Sequence, residues 1–200
     1  MRILIIGGTG VIGKAVAHEL GNRHEILLAG TKTGDIQIDI TKASSIENAY
    51  QKIGQLDAVV MTTGTVHFGP LTDMNNELFH VGLQSKLMGQ INTVLIGMKY
   101  IKDNGSFTLT SGILNHDPIR FGANAASING AIDGFVKSAA IEMPNNQRIN
   151  VISPTVVLEA MDSYGDYFRG YQPIPSKQLA LFYAKSVEGG QTGQVYKAGY

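Results

Sequence analysis

Residues 7–13, GGTGVIG, place glycines at 7, 8, 10 and 13 directly after an apolar run and directly before a helical pattern. Gly7 and Gly8 permit a tight turn, Gly10 lets the backbone approach a pyrophosphate closely, and Gly13 lets a helix pack on the strand. The free N–H groups at the helix start, around Thr9, Val11 and Ile12, then face the phosphates. The chemistry implied is dinucleotide binding. An ordinary strand-to-helix turn is the competing reading, and the agreement of strand, spacing and helix weighs against it.

The kind of dinucleotide is read after the second apolar run, in LAGTKTGDIQIDI at 28–40. An acid here would accept the ribose 2′-OH of NAD. Thr31 and Lys32 offer a hydroxyl and a cation instead, which suits a 2′-phosphate and favours NADP(H), with NAD(H) as the alternative. Lys32 as a plain solvated loop residue is the bland reading. Asp39, beside Ile40, either bonds the adenine amino group or caps the turn before Thr41.

These residues need a sheet to hold them. β-rich runs at 2–7, 24–29, 57–62, 106–111 and 149–153 alternate with helical patterns near 11–20, 45–53, 75–101 and 122–142. That order predicts a single α/β domain with a doubly wound, mostly parallel sheet of Rossmann type. Ser44 with Glu47 has the form of a capping box. In the 75–101 helix, Phe79, Leu83, Leu87, Val94 and Met98 mark the buried face, with Lys86, Gln90 and Thr93 as a neighbouring polar line. Residues 154–175, with three Tyr, two Gly and three Pro, have the composition of a lid before a helix near 176–187 and a last strand, GQVYKA.

Composition narrows the function classes. Net charge is zero and no Lys/Arg cluster occurs, so the electrostatic footprint of a nucleic-acid or anionic-membrane binder is missing. There is no cysteine, hence no disulfide framework and no thiolate nucleophile or metal site; no metal ligand set is expected. No apolar run reaches membrane-spanning length, and the expected location is cytoplasmic. Charged residues are 16% of the chain against a usual value of about 25%, which hints at surface covered by a partner subunit.

In this order and spacing the segments GGTGVIG, DIT at 39–41, TTG at 62–64, GSFTLTSG at 105–112, AIDGFVKSAAIEM at 131–143, RINVISP at 148–154 and TGQVY at 192–196 resemble the short-chain dehydrogenase/reductase family over almost the whole chain. The resemblance implies a doubly wound sheet, a nicotinamide cofactor, a small-molecule substrate and a dimer or tetramer. In that family a Tyr exchanges the proton at the substrate carbonyl, a Lys four residues later lowers the Tyr pKa and binds the nicotinamide ribose, and a Ser polarises the carbonyl. Here those positions hold Ala125, Asn129 and Ser111. TTG stands for the usual Asn-Ala-Gly, setting Thr63 and Gly64 on the cofactor floor, and SKLMGQINTV at 85–94 puts Lys86 at the family's usual Asn. Pro154 and Val156 fall in the cofactor-contacting stretch after RINVIS.

Lys86 is thus the candidate to replace the missing acid: an ammonium entering from the neighbouring helix would bind the ribose or stabilise an oxyanion. A Lys snorkelling to the surface is the alternative. Asn129 retains hydrogen bonds for a ribose hydroxyl. His116, five residues after Ser111, is a candidate catalytic group where a substrate loop begins, or a plain surface histidine. Tyr164, Tyr167 and Tyr171 read as lid or interface residues. Ala126, Gly130 and Gly134 form a small-residue stripe that suits either a second copy of the chain or close packing within one chain. The expected activity is NADP(H)-dependent reduction or oxidation of a small carbonyl compound at an atypical site; the alternative is a catalytically silent NADP(H) sensor or partner-binding protein. The expected assembly is a homodimer or homotetramer through the helices at 75–101 and 122–142.

Overall fold

A computed structural model describes residues 1–200. Seven parallel strands form one sheet in the order β3-β2-β1-β4-β5-β6-β7: β1 Arg2–Ile6, β2 Glu25–Gly30, β3 Ile36–Gln37, β4 Leu56–Met61, β5 Ile101–Thr110, β6 Arg148–Pro154 and β7 Val195–Ala198. Each crossover carries chain over a face of the sheet, so the strands are buried on both sides and read as unbroken apolar runs. In β1 the alternation of side chains sends Ile3 and Ile5 to one face and Leu4 and Ile6 to the other. Helices α1 (Val11–Gly21) and α7 (Ser176–Glu188) cover the first face; α2 (Ala43–Ile53), α4 (Gly89–Gly97) and α5 (Ala123–Glu142) cover the second. Each fully buried Ile or Leu contributes about 2 kcal/mol by leaving water.

The fold class matches the expectation, and the departures have local causes. β3 was not anticipated, because two residues pairing Ala29 with Ile36 and Gly30 with Gln37 are too few to show a period. β5 begins at Ile101, five residues early, and its pairing with β4 is irregular between Leu56 and Ala58. The Ser44/Glu47 capping box does not form. Lys42 holds the N-cap position of α2, Ser45 Oγ accepts from Asp39 N at 2.9 Å, and Glu47 is drawn across to Tyr100 Oη at 2.7 Å and Lys99 Nζ at 3.0 Å.

The helix expected at 75–101 is not one continuous α-helix. It runs as α3 (Asn76–Gly82), a π-helical stretch at Leu83–Met88, α4, and a 3₁₀ turn at Met98–Tyr100. Its most buried line is not the apolar one. Of the five apolar residues expected inside, only Val94 is fully buried, and Gln90 and Thr93 are buried beside it. The reason is the strand end below: Gln90 Nε2 donates to Thr110 O and Gln90 Oε1 accepts from Thr110 N, both at 2.9 Å.

Residues 154–175 fold over the C-terminal edge of the sheet, with a short helix α6 (Met161–Tyr164) and a bridge between Val157 and Ile174. No helix is long and apolar enough to cross a membrane.

Candidate nucleotide-binding and active site

The strand order reverses between β1 and β4, and a cleft of about 450 Å³ opens there at the carboxyl ends of the strands. Gly7, Thr9, Gly10, Thr31, Lys32, Ile40 and Thr63 all border it. The turn after β1 is built as its glycines require. Gly7 has φ +86°, and a Cβ there would lie 2.9 Å from the backbone of Thr62. A Cβ at Gly13 would strike the backbone of Gly7 and Gly8, so helix α1 reaches its depth only because that atom is absent. By contrast, a Cβ on Gly10 would meet a single atom, Gly7 O at 3.4 Å.

Gly10 caps α1 without a side-chain hydrogen bond, and no acidic residue stands in the first turn. The N–H groups of Val11 and Ile12 therefore have no intrahelical acceptor. Val11 is exposed and Ile12 part-buried at this end. The residues fit a dinucleotide: a glycine cradle, an uncapped helix start and a cleft beside them.

On the adenosine side, Thr31 and Lys32 are exposed at the rim. Thr33, which the sequence reading passed over, also borders the cleft and donates through Oγ1 to Thr9 Oγ1 at 3.1 Å. Of the two roles open to Asp39, the structure displays the turn cap: Oδ1 accepts from Thr41 Oγ1 at 2.6 Å and Thr41 N at 3.1 Å, while Oδ2 pairs with Lys42 at 3.1 Å. Those Thr41 bonds, aided by Lys42, hold its carboxyl below the usual range.

Further along the sheet edge a second, smaller cleft of about 140 Å³ gathers Lys86, Ser111, Asn129, Pro154 and Val156. Lys86 lies in the π-helical stretch, where an inserted residue displaces side chains from their α-helical directions. Gly64, at φ +127°, makes this possible from the facing loop, since a Cβ there would overlap Cα, Cβ and Cγ of Lys86. Lys86 Nζ donates to Asn129 Oδ1 and to Ser111 O, each at 2.8 Å. Burial pulls its pKa down to about 8, partly opposed by the charge of Asp133.

Ser111 is 3% exposed, its N–H donates to Ile152 O at 2.9 Å, and its Oγ has no partner. An orphaned buried hydroxyl at a cleft is a donor held ready for a ligand. Gly112, at φ +157°, leaves space for the Asn129 amide, whose Nδ2 would stand 3.1 Å from a Cβ at that position. Ala125 lines the same cleft.

His116 does not border this cleft. Its Nε2 lies 3.6 Å from Asp133 Oδ2, and the residue is exposed. Further residues complete the site. Asn124, fully buried, accepts from His67 N and donates to Phe79 O, both at 2.9 Å, so that it ties the 65–69 segment and α3 to α5. Gly82 makes room for it, because a Cβ there would overlap Asn124 Oδ1. Phe68 and Phe168 wall the cleft from the 65–69 segment and from the 154–175 segment, and Tyr164 and Tyr167 pack on Phe68 with centroids 6.2 and 5.9 Å apart. Only Asn124 carried a signal, standing next to Ala125 in a helix already singled out.

The small-residue stripe points away from the sheet. Gly130 and Gly134 are exposed, and a Cβ on Gly134 would meet nothing within 4 Å. Close packing within one chain is therefore not what these glycines serve.

The seven-stranded sheet, its switch-point cleft and the glycine cradle define a dinucleotide-binding domain of the doubly wound class. The chain belongs to the short-chain dehydrogenase/reductase family, whose members are oxidoreductases that work with a nicotinamide cofactor: a family model described as enoyl-(acyl carrier protein) reductase matches residues 8–178. Versicolorin reductase 1 from Dothistroma septosporum is 26% identical over 204 residues, covering 86% of this chain and 74% of that protein. The hydroxynaphthalene reductase-like protein Arp2 from Metarhizium anisopliae is 26% identical, covering 76% of this chain and 67% of that one. Among solved structures, the protein lin1944 from Listeria innocua superposes with a TM-score of 0.97 at 47% identity, covering 98% of both chains. A small-chain dehydrogenase in complex with NADPH shares the fold, with a TM-score of 0.88 at 24% identity over 99% of this chain and 96% of that one.

Proposed function

We propose that the protein is an NADP(H)-dependent oxidoreductase acting on a small carbonyl compound, with Lys86 in place of the family's Tyr and Lys. The observation that carries this reading is the Lys86 ammonium in the 140 Å³ cleft, fixed by Asn129 Oδ1 and Ser111 O beside the unpartnered Ser111 Oγ. The nicotinamide supplies or takes the hydride when bound. The chain's own part is to stabilise the carbonyl oxygen as negative charge builds on it. Ser111 Oγ donates a hydrogen bond to that oxygen, and Lys86, whose two hydrogen bonds leave one N–H uncommitted, supplies a cation and a proton. Asn129 orients the ammonium and offers its amide N–H to a ribose hydroxyl. His116 stands outside the cleft and takes no direct part.

Gly7, Gly10, Gly13 and the N–H groups of Thr9, Val11 and Ile12 take the pyrophosphate, and Thr31 and Lys32 take the 2′-phosphate. Ile40, Thr63 and Gly64 form the floor, Pro154 and Val156 flank the nicotinamide, and the 154–175 segment acts as the lid. Asp39 serves the floor by fixing the turn that carries Ile40. A cytoplasmic setting, where NADPH is abundant, suits this chemistry. The assembly is a homodimer or homotetramer through the helices at 75–101 and 122–142, where an apolar groove of about 260 Å³ runs between Val94, Met98, Phe135 and Met143.

A second reading, a silent NADP(H) sensor, has one observation in its favour: both bonds of Lys86 go to the protein's own carbonyl groups, as in a structural plug. The two separate in one experiment. NADPH is expected to raise the thermal midpoint, and its oxidation is expected against at least some members of a broad carbonyl panel, in wild type and not in Lys86→Ala. Binding without any oxidation, with Lys86→Ala binding as well as wild type, would leave only the sensor.

A further inference from the structure

Asp133 is a buried acid with no part in the roles assigned so far. It is 5% exposed on α5, one helical turn after Asn129 and on the same face. Its Oδ2 accepts from Asn115 Nδ2 at 2.8 Å and lies 3.6 Å from His116 Nε2, while its Oδ1 is enclosed and has no hydrogen-bond partner. A carboxylate taken out of water is costly unless it is hydrogen-bonded and faces an opposite charge. Asp133 has a single short hydrogen bond, to a neutral amide.

Lys86 presents the mirror image of that situation. Its ammonium rests against two neutral carbonyl oxygens, one of them on Asn129, and neither neutralises it. A half-buried cation held at Asn129 and a buried anion at Asp133 therefore stand about one helical turn apart along one face of α5. We propose that Asp133 is the counter-ion of Lys86, a positioning residue that acts through the ammonium and never touches the substrate. This rests on reading Lys86 as the working cation of the cleft.

The surrounding ionisable groups leave this role to Asp133. From the segment after β5, His116 reaches Asp133 from the rim and Asp117 is exposed. After β7, the Tyr200 phenol is engaged with Ser153 Oγ at 2.6 Å, and burial, with the Asp133 charge adding to it, pushes its pKa up. His67, in the 62–70 loop, turns its ring against Gly69. The 154–175 segment brings the phenols Tyr164, Tyr167 and Tyr171, and its charged residues Glu159, Asp162, Asp166 and Arg169 are all exposed. On α5 itself Lys137 is exposed, and on the helix of Lys86 both Glu77 and His80 are exposed. Asp133 is the acid whose charge opposes the effect of burial on Lys86.

The test reads the ionisation of Lys86 directly, by the Cε signal of ¹³C-lysine-labelled protein, assigned through its disappearance in Lys86→Met. In Asp133→Asn the Lys86 midpoint is expected to fall by about one pH unit, a tenfold change in its ionisation constant. Asp133→Glu is expected to keep the midpoint near the wild-type value. A second measurement needs no change at Asp133: in the wild-type protein the Asp133 carboxyl carbon should shift in step with the Lys86 midpoint, and that step should vanish in Lys86→Met. An unchanged midpoint in Asp133→Asn, a midpoint in Asp133→Glu as low as in Asp133→Asn, or a wild-type Asp133 signal blind to the Lys86 titration overturns the proposal. A lowered midpoint in Asp133→Asn, in a protein whose NADPH oxidation ignores Lys86, upholds the counter-ion and removes Lys86 from the chemistry.

Discussion

Lys86 Nζ donates to Asn129 Oδ1 at 2.8 Å, so two helices that lie far apart in sequence share one hydrogen bond at the base of the smaller cleft. Asn129 has no charge to give, and Lys86 arrives from the facing helix to supply one. The position of that charge is set by three features: the π-helical stretch at 83–88, the missing Cβ of Gly64, and the acceptors Ser111 O and Asn129 Oδ1.

If Lys86 is the proton donor, charge alone does not replace it. Lys86→Arg keeps a cation that holds its proton far above neutrality and so cannot transfer it there. Its turnover is expected to drop by about 100-fold or more, the usual contribution of general acid catalysis. NADPH binding, followed by titration calorimetry, is expected to persist. Full turnover in Lys86→Arg would show that the ammonium acts as a charge and not as an acid.

The pH dependence follows from the Lys86 pKa of about 8. Carbonyl reduction is expected to slow as pH rises through that value, because the proton is lost. Stability runs the other way. A lysine whose folded pKa lies below its unfolded value binds more protons unfolded, so its contribution to stability improves as pH climbs from about 8 toward the ordinary lysine range near 10.4. Denaturant melts of wild type and Lys86→Met across that window should show wild type gaining relative to the variant with pH. A difference independent of pH would mean that Lys86 keeps an ordinary pKa.

Cofactor choice is expected to sit on the rim of the larger cleft. Lys32→Glu places an acid where a 2′-phosphate would lie and should weaken NADPH by about tenfold or more, the effect of replacing attraction with repulsion in a partly exposed pair. NADH should be affected little. Equal losses for both cofactors in direct titrations would remove Lys32 from the phosphate site.

Asn124 ties the 65–69 segment to α5 through His67 N and ties α3 to it through Phe79 O. Asn124→Ala leaves the half-buried His67 N–H without its acceptor and takes one of two donors from Phe79 O, which keeps Leu83 N–H; it is expected to cost about 1–2 kcal/mol in a denaturant melt. Since Phe68 walls the cleft from that segment, KM for the carbonyl substrate should rise more than kcat falls. A variant as stable as wild type, with unchanged kinetics, would show that the clamp has no bearing on the site.

The proposed dimer uses a face that exposes Leu95 and Ile141, the latter 86% accessible. Leu95→Glu combined with Ile141→Glu buries unpaired carboxylates in any such interface and should give a monomer by light scattering, with the helix content unchanged. A monomeric wild-type protein would end that part of the reading at once.

Much of this molecule was legible in the chain. GGTGVIG announces its turn because only glycine fits φ +86° at position 7 and the strand-helix contact at position 13, and the apolar runs announce a sheet covered on both faces. The alternation of runs and helical patterns set the fold class. What stayed hidden depends on contacts between residues distant in sequence. Two residues of β3 have no readable period, and the Glu47 carboxylate left its local cap for Tyr100 and Lys99, 53 and 52 positions away. Gln90 is buried because Thr110 needs both of its amide groups. The sequence marked Lys86 and Asn129 as misplaced residues. Only the tertiary structure, by widening one helical turn against a glycine and closing α5 over it, decided that they meet, and left Asp133 enclosed beside them. Hydrogen bonds and buried charges of that kind are fixed by the meeting of elements in space, which local pattern does not encode.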